Sequence, residues 1–120
     1  MQETAVAQSP QRVFEIRTYT AAPGKLDALI ARFRDHTTGI FNRHDIASIG
    51  YWVPQDAPQS GNTLIYIVAH ASREAARKHW AEFAADPEWQ KVKAASEAGG
   101  KIVLHIDSVY ADPTDFSAIR

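Results

Sequence analysis

Two side-chain periodicities alternate along this chain, and their order leaves few folds open. From Val13 to Thr20, "VFEIRTYT" alternates with the period of a strand, placing Val13, Glu15, Arg17 and Tyr19 on one face and Phe14, Ile16, Thr18 and Thr20 on the other. After "AAPGK", where Pro23 and Gly24 mark a turn, the period becomes helical. Leu26, Leu29, Ile30, Phe33, Thr37, Ile40 and Phe41 form one wide apolar stripe, and the helix is expected to run to about Arg43. Strand character returns around Ile46 to Val53. "PQDAPQSGN" then reads as a hairpin loop, and "NTLIYIVAH" is apolar on both faces, as a central strand is.

A second helical stretch follows Ser72, a plausible N-cap, and begins "REAARKHWAEF". "DPEW" restarts the helix, with Asp86 as cap, Pro87 at the first position and Glu88 in the first turn. Gly99 and Gly100 end it, and "KIVLHIDSVYA" is the last strand. The order strand, helix, strand, strand, helix, strand is the α+β, ferredoxin-like βαββαβ plan: a four-stranded antiparallel sheet with helices on one face. Residues 1–11 are expected to be a disordered lead-in, 12–111 the domain and 112–120 a tail.

That plan leaves one sheet face without helices. Leu64, Tyr66 and Val68 on one side of the central strand and Ile65, Ile67 and Ala69 on the other both require cover. A second copy packed against the helix-free face, giving a homodimer, is the simplest cover.

The bulk properties exclude several classes. At 120 residues the chain is long enough for one domain with its own core. The net charge of −1 provides no basic stripe of the kind that binds nucleic acid. With no Cys, disulfides, thiolate catalysis and Cys-ligated metal are ruled out, while the compartment stays open. The longest apolar run, Leu64 to Ala71, is interrupted by His70 and falls far short of the roughly 20 residues that span a bilayer. "MQETAVAQSP" has neither the basic start nor the apolar stretch of a signal peptide.

"FEIRTYTAAPGKL", "HDIASIGYW", "NTLIYIVAH" and "ADPEWQKV" together resemble the NIPSNAP family, over about Val13 to Phe116. The resemblance implies a ferredoxin-like domain that pairs into a dimeric α+β barrel. It implies no settled reaction: family members have been linked to vesicle traffic and mitochondrial quality control in animals, and bacterial members mostly lack an assigned activity. The related barrel superfamily includes cofactor-free monooxygenases, isomerases and haem enzymes.

Several residues can carry chemistry. Glu15 and Arg17, about 7 Å apart along one strand face, form either a structural ion pair or a site in which the Arg17 fork binds an anionic or enolate oxygen. Tyr19 on the same face can donate a hydrogen bond. His36, within or beside the helical stripe and so expected on the inner face of the helix, is the candidate for proton transfer, because a neutral imidazole acts as a base near neutral pH. The catalytic set is therefore expected to be His36, Arg17 and Tyr19. Glu15, Phe33, Tyr51, Trp52, Tyr66, His70 and Trp80 are expected to line a small-molecule pocket between helices and sheet. The histidines have no metal-ligand spacing. His36 and His44 are about 12 Å apart if the helix continues, and His70, His79 and His105 lie on other elements. No metal and no cofactor is expected. Two alternatives stand beside cofactor-free oxygenation or isomerisation: a binding module without chemistry, and haem binding through one axial His. A cavity beside Arg17 and His36 separates the pocket from a merely packed core.

Overall fold

The computed structural model describes residues 11–120; the expected lead-in falls almost entirely on residues outside that range. The elements are β1 (Val13–Ala21), α1 (Leu26–Arg32), a π-helical turn (Phe33–Thr37), α2 (Thr38–Arg43), β2 (Ala47–Trp52), a short 3-10 turn (Gln59–Gly61), β3 (Thr63–His70), α3 (Arg73–Ala85), α4 (Pro87–Ser96) and β4 (Val103–Ala111). The four strands are antiparallel in the order β2-β3-β1-β4, the ferredoxin-like topology with β1 and β3 at the centre. No helix among the described residues is long and apolar enough to cross a membrane.

Local chemistry sets the helix starts. The Ser72 hydroxyl accepts the Ala75 N–H at 3.0 Å and opens α3. Asp86 caps α4 by accepting the N–H groups of Glu88 and Trp89, with Pro87 in the first turn. Its other oxygen takes 2.7 Å contacts from His44 Nε2 and Arg43 Nη2, which ties the end of α2 to the α3–α4 joint. His44 therefore serves as a strap between helices.

The core lies between the helices and one sheet face. Leu29, Phe33, Ile40 and Phe41 pack onto Tyr19, Leu64, Tyr66 and Val68, with Phe83 of α3 closing one side. Phe41 touches four aromatic rings, those of Phe33, Tyr66, Trp80 and Phe83.

β1 presents its faces in the reverse of the usual sense. The mixed set Glu15, Arg17 and Tyr19 lies under the helices, opposite Val68, Tyr66 and Leu64 of β3. The apolar set Phe14, Ile16 and Thr18 lies on the helix-free face with Ile65, Ile67 and Ala69. Part of that face is covered by the chain's own tail. Pro113, Ser117 and Ile119 close a depression of about 230 Å³ floored by Phe14, Ile16 and Ile67, and Arg12 holds the Arg120 carbonyl at 2.9 Å and 3.2 Å. Trp52 and Val109 stay more than half exposed.

Phe41 is 1% exposed, so Phe41→Ala should cost about 3–5 kcal/mol in denaturant unfolding. A loss below about 1 kcal/mol would show that the aromatic cluster can close around the void.

Candidate functional site

The polar face of β1 builds a closed network around one carboxylate. Glu15 is 1% exposed. Its Oε1 accepts from Trp80 Nε1 at 2.7 Å and contacts His70 Nε2 at 2.9 Å. Its Oε2 accepts from Ser108 Oγ at 2.6 Å and Arg17 Nη1 at 2.7 Å. Burial alone would raise this carboxyl's pKa, but the hydrogen bonds from His70, Ser108, Trp80 and Arg17 outweigh it and hold the value at about 2.

Arg17 carries the network on to two phenols. Its Nε donates to the Tyr66 hydroxyl at 2.7 Å and its Nη2 to the Tyr19 hydroxyl at 3.1 Å, while its guanidinium lies 4.3 Å from the Trp80 ring centroid. The Tyr66 hydroxyl donates in turn to Tyr19 at 3.0 Å. Burial, reinforced by Tyr19, keeps Tyr66 protonated by pushing its pKa well above that of a free phenol. Tyr19 thus accepts two hydrogen bonds, and its own proton has no acceptor among the described residues.

Tyr19 lines a cavity of about 510 Å³ between helices and sheet. Arg17 and Tyr19 form the floor; Phe33, Phe41, Trp80, Phe83 and Trp89 supply aromatic walls; Arg32, Lys93, Glu97 and Lys101 bring charge to the lining. Trp89 is half-buried and packs against Phe83 with ring centroids 4.7 Å apart and the planes tilted by 31°.

The expected residues divide into three groups. Arg17, Tyr19, Phe33 and Trp80 line the cavity, and Glu15, Tyr66 and His70 support it from beneath. Tyr51 stacks on Tyr66 at 5.1 Å and faces a smaller depression with Ile30, Phe33 and Leu64. His36 and Trp52 lie elsewhere. His36 is exposed and lines an outer groove with Asp35, Glu88 and Lys91. The π-turn explains this: an i→i+5 turn winds less per residue, so three steps from Phe33 leave His36 on the outside, while Thr37 at four steps is buried. Trp52 pairs with Ile65 and lies on the helix-free face, since adjacent strand residues cannot share a face with Tyr51. Its ring covers Gly50, where a Cβ would come within 2.5 Å of it.

Residues that sequence reasoning did not single out for the site complete it: Arg32, Phe83, Trp89, Lys93, Lys101 and Ser108. Only an arginine flanking an apolar helical stripe, as Arg32 does, offered a visible signal. A haem would need an imidazole aimed into the cavity. Among the described residues His105 alone lines it, and its ring is engaged by Asp107 at the surface. The described residues contain no cluster of three or more His, Cys, Asp or Glu fit to hold a metal.

Glu15→Gln replaces one acceptor by a donor facing donors and leaves Arg17 without its counter-charge, so it should cost about 3–5 kcal/mol. The pH dependence follows in sign. Glu15 and Asp86 both titrate near 2 when folded, below their ordinary values of 4.5 and 3.8. In Asp86 the His44 contact is the main cause, opposed by burial and helped by the N–H groups of Glu88 and Trp89. Their contribution is complete above about pH 4.5 and disappears as pH falls through about 2. Circular dichroism of an acid titration should show stability falling across that window, with a shallower slope in Glu15→Gln.

The NIPSNAP family model matches residues 14–118. No curated protein matches the chain. Solved structures similar to it include a NIPSNAP family protein of unknown function from Agrobacterium tumefaciens, at 22% identity and a TM-score of 0.79, covering 94% of this chain and 97% of that one. An uncharacterised NIPSNAP-like domain protein from Burkholderia xenovorans is 19% identical with a TM-score of 0.77, over 91% and 90% of the two chains. A Streptomyces coelicolor monooxygenase in complex with the ligand nanaomycin D shares the fold at 16% identity and a TM-score of 0.56, covering 98% of each chain. With nearly the whole described domain matched by the family model, the chain belongs to the NIPSNAP family.

Proposed function

We propose that this chain binds a planar aromatic small molecule in the cavity between helices and sheet, and that it does so as a homodimer. The observation that carries the ligand site is the aromatic-walled cavity of about 510 Å³ over the Arg17–Tyr19 floor. Its size lies within the range of small-molecule pockets, and its walls are mostly aromatic with a few fixed polar groups. Trp80 and Trp89 line the cavity, each with an arginine guanidinium over its ring.

The floor supplies one chemical capability. A Tyr19 hydroxyl that already accepts from Arg17 and Tyr66 is a preorganised donor for an oxygen on which negative charge develops. Cofactor-free oxygenases and isomerases need this support, since their substrates pass through enolate-like anions. The structurally similar monooxygenase holds a ligand, nanaomycin D, which supports a ligand-binding reading of this fold. The cavity lies beside Arg17 but not His36, so it supports ligand binding over a merely packed core without the proton-transfer role expected of His36.

The homodimer rests on the helix-free face. Phe14, Ile16, Ile65 and Ile67 form an apolar sheet surface that the tail covers only in part, and Trp52 and Val109 stand out from it. Sedimentation should give twice the chain mass at micromolar concentration, and Val109→Glu should shift the protein to monomer. A monomeric wild type would refute the dimer.

For the ligand site, 2-naphthoate should raise the melting temperature and quench tryptophan fluorescence. Ala84, which lines the cavity and is itself exposed, can be replaced by Phe to fill it. Ala84→Phe should remain folded and lose the quenching. Undiminished binding in that variant, or no binding by the wild type, would reject the site.

A further inference from the structure

Two arginines line the cavity, Arg32 also bordering the outer groove at His36, and their hydrogen bonding differs. Arg17 uses Nε, Nη1 and Nη2 on Tyr66, Glu15 and Tyr19. Arg32 is 6% exposed, and only its Nη1 is engaged, at 3.1 Å to Ser96 Oγ and 3.3 Å to Glu97 Oε2. Its Nε is buried without a partner, whereas its Nη2, which also makes no hydrogen bond among the described residues, is not closed off from water. Three of its five N–H groups therefore lack protein acceptors, against two of five in Arg17. A buried N–H left without an acceptor is costly.

The charges around Arg32 do not remove the deficit. Glu97, its carboxylate partner, is reached at the long end of hydrogen-bond range and keeps 28% of its side chain exposed. Lys93 and Lys101 add two more cations to the same lining. With Arg17 neutralised by Glu15, the lining holds three cations against the single carboxylate of Glu97.

We infer that Arg32 anchors a carboxylate group carried by the aromatic ligand of this cavity; the inference rests on the ligand site proposed above and narrows its ligand class to aromatic carboxylates. The guanidinium fork matches a planar two-oxygen group. The Arg32 guanidinium lies 5.1 Å from the Trp89 ring centroid, and Trp89 continues into Phe83 along the cavity wall. A carboxylate taken up by the unpaired part of the fork would leave its aromatic body against those rings. Arg17 then keeps its structural task, and the ligand's charge meets the arginine that has donors to spare.

Calorimetric titration of the full chain with 2-naphthoate and with the neutral isostere 2-naphthamide tests this at fixed pH and salt. The wild type should bind the carboxylate about tenfold or more tightly than the amide. Arg32→Met should bring the two affinities to within about twofold while amide binding persists. Arg32→Lys, which keeps charge but loses the fork, should narrow the gap, and it supplies the comparison if the Met variant does not fold. Equal affinities in the wild type, or an unchanged gap in either folded variant, overturn the anchor. If both probes bind equally and Ala84→Phe blocks them, the ligand site stands and the carboxylate assignment falls. If neither probe binds the wild type, the ligand site fails and the anchor fails with it.

Discussion

A carboxylate that is almost fully buried has to have its acceptor sites filled, and much of this fold is arranged around doing so for Glu15. Its four partners come from four elements: Arg17 on β1, His70 on β3, Trp80 on α3 and Ser108 on β4. A one-residue slip of β1 against either neighbour would turn Glu15 to the other face and strand those donors. The network therefore specifies the register of the sheet centre and the seating of α3. A buried ion pair of this kind contributes little net stability over an apolar replacement, but it penalises alternative arrangements heavily. Arg17 extends the same constraint to Tyr19 and Tyr66, so the floor of the cavity is rigid because the core is.

This arrangement explains why strand one resists a simple inside-outside assignment. Alternation correctly separates Glu15, Arg17 and Tyr19 from Phe14, Ile16 and Thr18, and the βαββαβ order correctly makes the strand central. Hydropathy by itself leaves open which set the helices cover, and the strand's central place predicts only that the polar set is at least partly enclosed. The helices cover the polar set, because hydrogen bonding among Glu15, Arg17, Tyr19, Tyr66 and Trp80 makes that set compatible with burial. The apolar set is left on the open face, partly under Pro113 and Ile119.

The two misplaced site residues have local causes that periodicity does not show. His36 follows the apolar stripe only if the helix keeps a uniform 3.6-residue turn, and the wider turn at Phe33–Thr37 breaks that condition. No proline or glycine inside "FRDHT" marks the change. On β2, Ile49 is an extra residue between Ser48, paired with Val68, and Gly50, paired with Ile67. That bulge resets the alternation so that Tyr51 turns inward and Trp52 outward. Contributions from α4 and β4, such as Trp89 and Lys101, depend on how distant elements pack, and a linear pattern contains no record of that.

The same hydrogen-bond count that makes Glu15 structural separates the two arginines at the cavity. A fully engaged guanidinium has recovered in the protein most of what it lost on leaving water, and it has little to gain from a ligand. Arg17, with a partner on each of its three nitrogens, comes nearer to that state. Arg32 is also largely withdrawn from solvent, yet the protein satisfies only one of its three nitrogens and leaves Nε buried without a partner. The unliganded fold therefore carries the desolvation cost of that N–H, and an anion that drew the free donors into hydrogen bonds would relieve it in the bound state alone. Such a difference between states couples ligand binding to stability. An aromatic carboxylate bound as proposed would set its charge near Arg32, with the aromatic walls leading toward Arg17 and Tyr19. The lining draws the cations Arg32 and Lys93 from α1 and α4, and its hydrogen-bonded Arg17–Tyr19 pair from β1.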